Sequence, residues 1–337
     1  MNKLILLLFA LIFLNNCSFN KNSKIWKKNE EDLSSKTNIK KIFSNNEFIV
    51  KEFNKDLKLD LSEIKINNID FDNQNNFGSQ NFDGSLKKNG SYKFSKLEEI
   101  NQINFKPIFL ENGVIYFDKK GTIIRYDNNQ KIIWKKNHYT KVEKKLYPKL
   151  NLFLHKDNIL ISDSIAKYYS ININNGELNW SKNNTYPFNS DIKKYKNSFY
   201  VVDYNNTLRC YHIEDGSECW SLQTDKSFTI SDSKYSLISI KDKIVFSNSM
   251  GDITAVDSVS GQIIWQLPTQ NSSIVNETYS FKNSKLVSDN KFIFTSNNKN
   301  QFYSIDSISG TINWINEVNS NLTPIIISNL IFTVSNE

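Results

Sequence analysis

The stretch Asp252-Ile253-Thr254-Ala255-Val256-Asp257-Ser258-Val259-Ser260-Gly261-Gln262-Ile263-Ile264-Trp265 decides the fold. Its first five residues alternate like a half-buried strand, and Gln262 to Trp265 reads as a second strand. Between them, Asp257 to Gly261 is a short hairpin loop in which glycine takes the left-handed position that other residues resist. The phrase returns around Asp306, Gly310 and Trp314, again with Asp eight and Gly four residues before the Trp. Gly176 and Gly216 hold the same offset before Trp180 and Trp220. Before Trp134 the place belongs to Gln130, next to Asn128 and Asn129, and Asn tolerates positive φ better than most residues.

Five tryptophans, Trp134, Trp180, Trp220, Trp265 and Trp314, thus recur at intervals of 46, 40, 45 and 49 residues. A period in the forties marks stacked supersecondary units. Upstream of each phrase lies a short apolar run, such as Asn112 to Phe117, Asn158 to Ser162, Ser198 to Val202, Lys243 to Ser247 and Phe292 to Thr295. Pro107, Pro148, Pro187 and Pro324 stand where a preceding strand opens, a position at which no ladder donor is lost. Each unit is therefore predicted to be four short antiparallel strands. Sheets with two apolar faces cannot stand alone, and radial packing buries both faces. The five tryptophans are then wedges that dock one blade on the next. The expected fold class is all-β, a β-propeller of four-stranded blades, with about five complete blades and partial ones beside them. Leu330 to Glu337 reads as the second strand of a further blade whose remaining strands lie beyond residue 337. Ser91 to Lys96 reads as the last strand of the ring-closing blade.

The flanks divide the 337 residues into three parts. Lys3 followed by the apolar run Leu4 to Leu14 suits a signal peptide and is too short to span a bilayer, which needs about 20 residues. Leu14-Asn15-Asn16-Cys17 resembles the lipobox of bacterial lipoproteins, with Leu14 at its expected place and Asn16 where Gly or Ala is usual. That resemblance implies lipidation of Cys17, and Ser18 rather than Asp implies the outer membrane. Residues 1–16 are read as the signal peptide. Residues 17–85 are read as the lipidated Cys, a flexible polar tether and an irregular segment, and residues 86–337 as the propeller.

The Asp-x-x-x-Gly-x-x-x-Trp phrase resembles the repeat of PQQ-like propellers, over roughly residues 90 to 337. No Trp is followed by Asp, as in WD40 repeats, and the chain has no Gly-Gly pair, as in kelch repeats. Within that group, the lipobox, the tether and a single propeller resemble BamB, a non-enzymatic lipoprotein of outer-membrane assembly. The resemblance implies an eight-bladed form and no cofactor. It implies partners in a BamA-like insertase and other assembly-complex members, with lipid anchorage on the periplasmic face of the outer membrane. Two other readings stand beside it: a PQQ-dependent periplasmic dehydrogenase, and an envelope-attached propeller with a different binding role.

Dehydrogenases of the quinoprotein kind are expected to carry adjacent cysteines, a carboxylate base and a calcium-type oxygen cluster. Cys17, Cys210 and Cys219 are not adjacent, and His138, His155 and His212 have no metal-ligand spacing. No catalytic or metal-binding residue is assigned. Cys210 and Cys219 flank the turn at Glu214 to Gly216 almost symmetrically, so they could face each other across two strands, and two readings stand: a disulfide, or two small buried thiols. By repeat position, the loop after Trp220, with Asp225, Lys226, Phe228 and Tyr235, is the expected partner contact. The net charge of +7 comes from 42 basic and 35 acidic residues in short runs such as Lys144-Lys145 and Lys193-Lys194. This is read as a solvated surface, and no nucleic-acid reading element accompanies it.

Overall fold

Four consecutive strands, each hydrogen-bonded antiparallel to the one before, build a blade, and among the described residues five such blades follow one another. The structure, a computed structural model, describes residues 75–78, 107–225, 234–269 and 281–335. The first blade comprises β1 Ile108–Leu110, β2 Gly113–Phe117, β3 Ile123–Asp127 and β4 Ile132–Lys136. The second comprises β5 Leu150–His155, β6 Asn158–Asp163, β7 Lys167–Asn172 and β8 Leu178–Asn183. The third has β9 Lys193–Tyr195, β10 Ser198–Val202, β11 Thr207–His212 and β12 Glu218–Gln223. The fourth has β13 Leu237–Ile240, β14 Lys243–Ser247, β15 Ile253–Asp257 and β16 Ile263–Leu267. The fifth has β17 Val287–Ser288, β18 Phe292–Asn297, β19 Gln301–Asp306 and β20 Ile312–Asn316, and β21 Ile325–Ile327 with β22 Leu330–Phe332 form a sixth, two-stranded sheet. The first strands of successive sheets contact one another, as β9 does β13, β13 does β17 and β17 does β21. They line the hub of a β-propeller. Pro187 is the exception among the strand-opening prolines, because β9 begins only at Lys193 and Phe188 makes an isolated bridge to Asp203.

Period-two alternation sends successive residues of one strand to opposite interfaces. In β6, Ile159 and Ile161 pack toward the first blade with Ile115, Phe117 and Trp134, whereas Leu160 packs toward the third with Phe199 and Tyr211. Each pair of neighbouring blades thus shares one apolar cluster, and the core is a series of such layers.

The tryptophans complete these layers. An added Cβ on Gly176 would lie 2.7 Å from Trp134, on Gly216 2.5 Å from Trp180, on Gly261 2.6 Å from Trp220 and on Gly310 2.5 Å from Trp265. Only a residue without Cβ admits the indole there, and each of these glycines also has φ near +70°. The indole N–H donates to a carbonyl three residues before the glycine: Trp134 to Ile173 at 2.8 Å, Trp180 to Ile213 at 3.1 Å, Trp220 to Ser258 at 3.2 Å and Trp265 to Ser307 at 3.3 Å. Trp134 and Trp265 are 7% and 8% exposed. Trp314 departs from the expectation. At 37% exposed it contacts Phe294 and Phe302 of its own blade, because no third or fourth strand follows β22 among the described residues.

One repeated device was not anticipated. In every complete blade the pairing of the third and fourth strands shifts by one residue just before the Trp. The extra residue of this β-bulge is Ile133, Asn179, Cys219, Ile264 or Asn313. A bulge sharpens the local twist. It bears on the cysteines: Cys210 pairs in register with Trp220, Cys219 is the extra residue of the bulge, and the two side chains meet as free thiols.

Residues 75–78 lie within the segment read from sequence as irregular, yet they run along the hub. The Asn76 and Phe77 carbonyls accept from Ser288 N–H of β17 at 2.8 Å and Ile326 N–H of β21 at 2.9 Å. The Asn76 side-chain amide donates to the Ser239 carbonyl of β13 at 2.6 Å, and Lys193 Nζ of β9 reaches the Asn75 carbonyl at 3.4 Å. Gly78, with φ 78°, leaves no room for a Cβ against the Pro324 carbonyl. Cys17 and Ser91 to Lys96 lie outside the described residues.

Candidate partner-binding face

Antiparallel order places two kinds of turn at opposite ends of every blade. One end carries the β1–β2 and β3–β4 type hairpins, where the tryptophans dock. The other carries the β2–β3 type turns and the connectors that lead from each outer strand to the next hub strand. Function on propellers resides where the repeat is broken, because a rigid frame can then vary its loops freely. The connectors are the unrepeated part.

The β2–β3 type turns hold this end in place. Asp118, Asp163 and Asp203 each accept through Oδ1 from the backbone N–H groups two and four residues on, and Asn248 does the same. These are Asx turns, which these residue types form with their own backbone. Asp163 is fully buried, accepts the Tyr139 hydroxyl at 2.6 Å, and has its carboxyl pushed up to about 6 by burial. Burial also pushes the Tyr139 phenol far above its ordinary range and lowers His138. Asp203 is buried too and takes Arg209 Nε at 2.8 Å, while Arg209 Nη1 reaches Glu218 at 2.8 Å.

The connector after β12 is anchored at both described ends. The Asp225 carbonyl accepts from the Asn206 side-chain amide at 2.7 Å, and that amide also reaches Ser249 Oγ at 2.7 Å. The Asp225 side chain is exposed and available to a partner. Tyr235 corrects the sequence reading: its ring is buried against Tyr204, its N–H donates to the Asn189 carbonyl at 2.8 Å, and burial pushes its phenol up to about 12. It packs this connector rather than facing solvent. Lys226 and Phe228 lie outside the described residues.

Nearer the hub, Asp191 binds Lys234 and, at 2.9 Å, Lys285, and Lys234 also reaches Asn151. These residues come from the second to fifth blades, and nothing in their spacing along the chain pairs them. Among the described residues no group of three His, Cys, Asp or Glu is placed to hold a metal ion, and no helix is long and apolar enough to cross a membrane.

The family model described as outer membrane protein assembly factor BamB matches residues 119–337. No curated protein matches the chain. Among solved structures, BamB from Moraxella catarrhalis is 13% identical with a TM-score of 0.57, over 70% of this chain and 70% of that one. The computationally designed protein Ika8 is 13% identical with a TM-score of 0.52, over 67% and 65%. A europium-containing methanol dehydrogenase is 11% identical with a TM-score of 0.50, over 63% of this chain and 50% of that one. At such identities the likenesses establish the fold.

Proposed function

The chain belongs to the family of outer membrane protein assembly factor BamB, and from that premise we propose that it is a non-enzymatic scaffold that assists insertion of outer-membrane β-barrel proteins by binding a BamA-like insertase. The family match across residues 119–337 carries this reading. The frame suits a scaffold, since docked blades form a stiff support and the connector end offers loops of unrepeated sequence. Lipidation at Cys17 would hold the scaffold at the periplasmic face of the outer membrane.

The connector after β12 is the proposed contact, through the exposed Asp225 together with Lys226 and Phe228. Affinity purification of the full chain from membranes is the test, with a barrel-type insertase expected to co-purify. Asp225→Lys combined with Phe228→Ala is expected to reduce recovery of the insertase at least about tenfold, the equivalent of about 1.4 kcal/mol. Unchanged recovery would remove this connector from the contact, and absence of any insertase from the wild-type eluate would sink the scaffold reading. A quinoprotein-type activity would instead register as dye-linked oxidation of alcohols or sugars.

A further inference from the structure

The connector between the first and second blades, residues 137–149, carries a short turn of its own. Thr140 and Glu143 form a reciprocal cap: Thr140 N–H donates to Glu143 Oε2 at 2.6 Å, and Glu143 N–H donates to Thr140 Oγ1 at 3.3 Å. This starts a single 3₁₀ turn, Glu143–Leu146, closed by Lys145 N–H to the Val142 carbonyl at 3.0 Å. The base is fastened by Lys167, which reaches the His138 carbonyl at 2.7 Å and Glu143 at 3.4 Å and lies 5.0 Å from the Tyr139 ring. Tyr147 sits in the left-handed region at φ 49°, an uncommon conformation for a bulky residue.

This fastened turn presents apolar groups outward. Val142 is 70% exposed, Leu146 60% and Tyr147 53%. Lys141, Lys144, Lys145 and Lys149 lie between and beside them, and Lys119 of the neighbouring turn lies 5.8 Å from the Tyr147 ring. The acids nearby are already engaged: Glu143 by Thr140 and Lys167, and Asp118 by the Lys120 and Thr122 N–H groups. What remains is a cationic surface with an apolar tip, although the lysine pair 144–145 in isolation reads as ordinary solvated surface.

We propose that this connector docks on an anionic lipid surface. A membrane interface accepts this mixture in a single orientation, in which apolar and aromatic groups enter to headgroup depth while lysines stay with the phosphates. It requires no shape complementarity. The core of a protein–protein contact, by contrast, is depleted of lysine. The proposal is independent of the insertase reading, which rests on a different connector.

Hydrogen exchange of the full chain, with vesicles of phosphatidylcholine alone or mixed with phosphatidylglycerol, is the test. Amides of residues 141–149 are expected to exchange at least about fivefold more slowly with the anionic vesicles than with the neutral ones, and the protection to vanish at about 1 M salt, where the screening length is about 3 Å. Reversing the charge of Lys141, Lys144, Lys145 and Lys149 to Glu should abolish it. The second variant, Val142→Ser with Leu146→Ser and Tyr147→Asn, should weaken it while leaving the salt dependence. Equal exchange on the two vesicle types, or protection that survives charge reversal, would overturn the proposal. So would protection that requires a protein from the envelope and no lipid.

Discussion

The two ends of the blades are built by different rules. At the docking end, one arrangement of indole, glycine and carbonyl is repeated four times with N···O distances from 2.8 to 3.3 Å. At the connector end the described parts of the links between blades differ. One is a capped 3₁₀ turn, one runs beside its neighbour through the Ser190–Tyr235 bridge, and another is tied by Asn206 to the Asp225 carbonyl. The docking end supplies stability by repetition, and the connector end is free to specialise because the docks already hold the blades in register. A relative with the same docks and different connectors would keep the fold and change its partners.

The sharpest way to break this comparison is to remove a dock. Trp265→Ala is expected to cost about 3–5 kcal/mol in urea denaturation, since it empties a buried layer. Trp314→Ala should cost well under half of that, because its ring is already partly in water. Equal losses would mean that the docks are not what holds the blades.

Asp163 tests the connector end. Its carboxyl titrates at about 6 in the folded chain and at 3.8 when unperturbed, so the folded state holds the proton more tightly. Its contribution is complete below about pH 4, is lost as pH rises through about 6, and amounts to roughly 3 kcal/mol at most. Asp163→Asn should flatten that part of the profile of midpoint against pH. A profile unchanged by the substitution would contradict the assignment of this group.

Gly310→Ala probes the same dock as Trp265 from the other side. The left-handed backbone alone costs about 1–2 kcal/mol, and the displaced indole adds to it. The smallest effect on global stability is expected from the connector after β12. Asp225→Ala should change the denaturation midpoint by less than about 0.5 kcal/mol, because the carbonyl and not the side chain makes its hydrogen bonds. Gly78→Val addresses the hub strand: hydrogen exchange at Ser288 and Ile326 should accelerate, and unchanged protection would show that residues 76 and 77 are dispensable there.

Much of the docking end was legible in the chain. Gly176, Gly216, Gly261 and Gly310 announce themselves by their fixed offset from a Trp, because steric exclusion of a Cβ leaves a residue-type signature. The Asx turns are legible in retrospect, since Asp118, Asp163, Asp203, Asn248 and Asn297 recur with nearly the same spacing as the tryptophans. The bulge was not, because its extra residue can be Ile, Asn or Cys and so leaves no signature. That is why Cys210 and Cys219, symmetric about their turn in sequence, do not form a regular ladder pair: Trp220 takes the register position and Cys219 is the extra residue beside it.

The sequence alone determined the repeat, its four-strand unit and the docking chemistry, because these are local patterns governed by a period of two and by residues that only one backbone conformation admits. Tertiary structure alone decided that Tyr235 is buried, that Asp191 gathers Lys234 and Lys285, and that Asn76 and Phe77 complete the hub edges of β17 and β21. Those contacts join residues tens to hundreds of positions apart. Their geometry follows from how whole blades stack, and no short-range pattern in the chain encodes it.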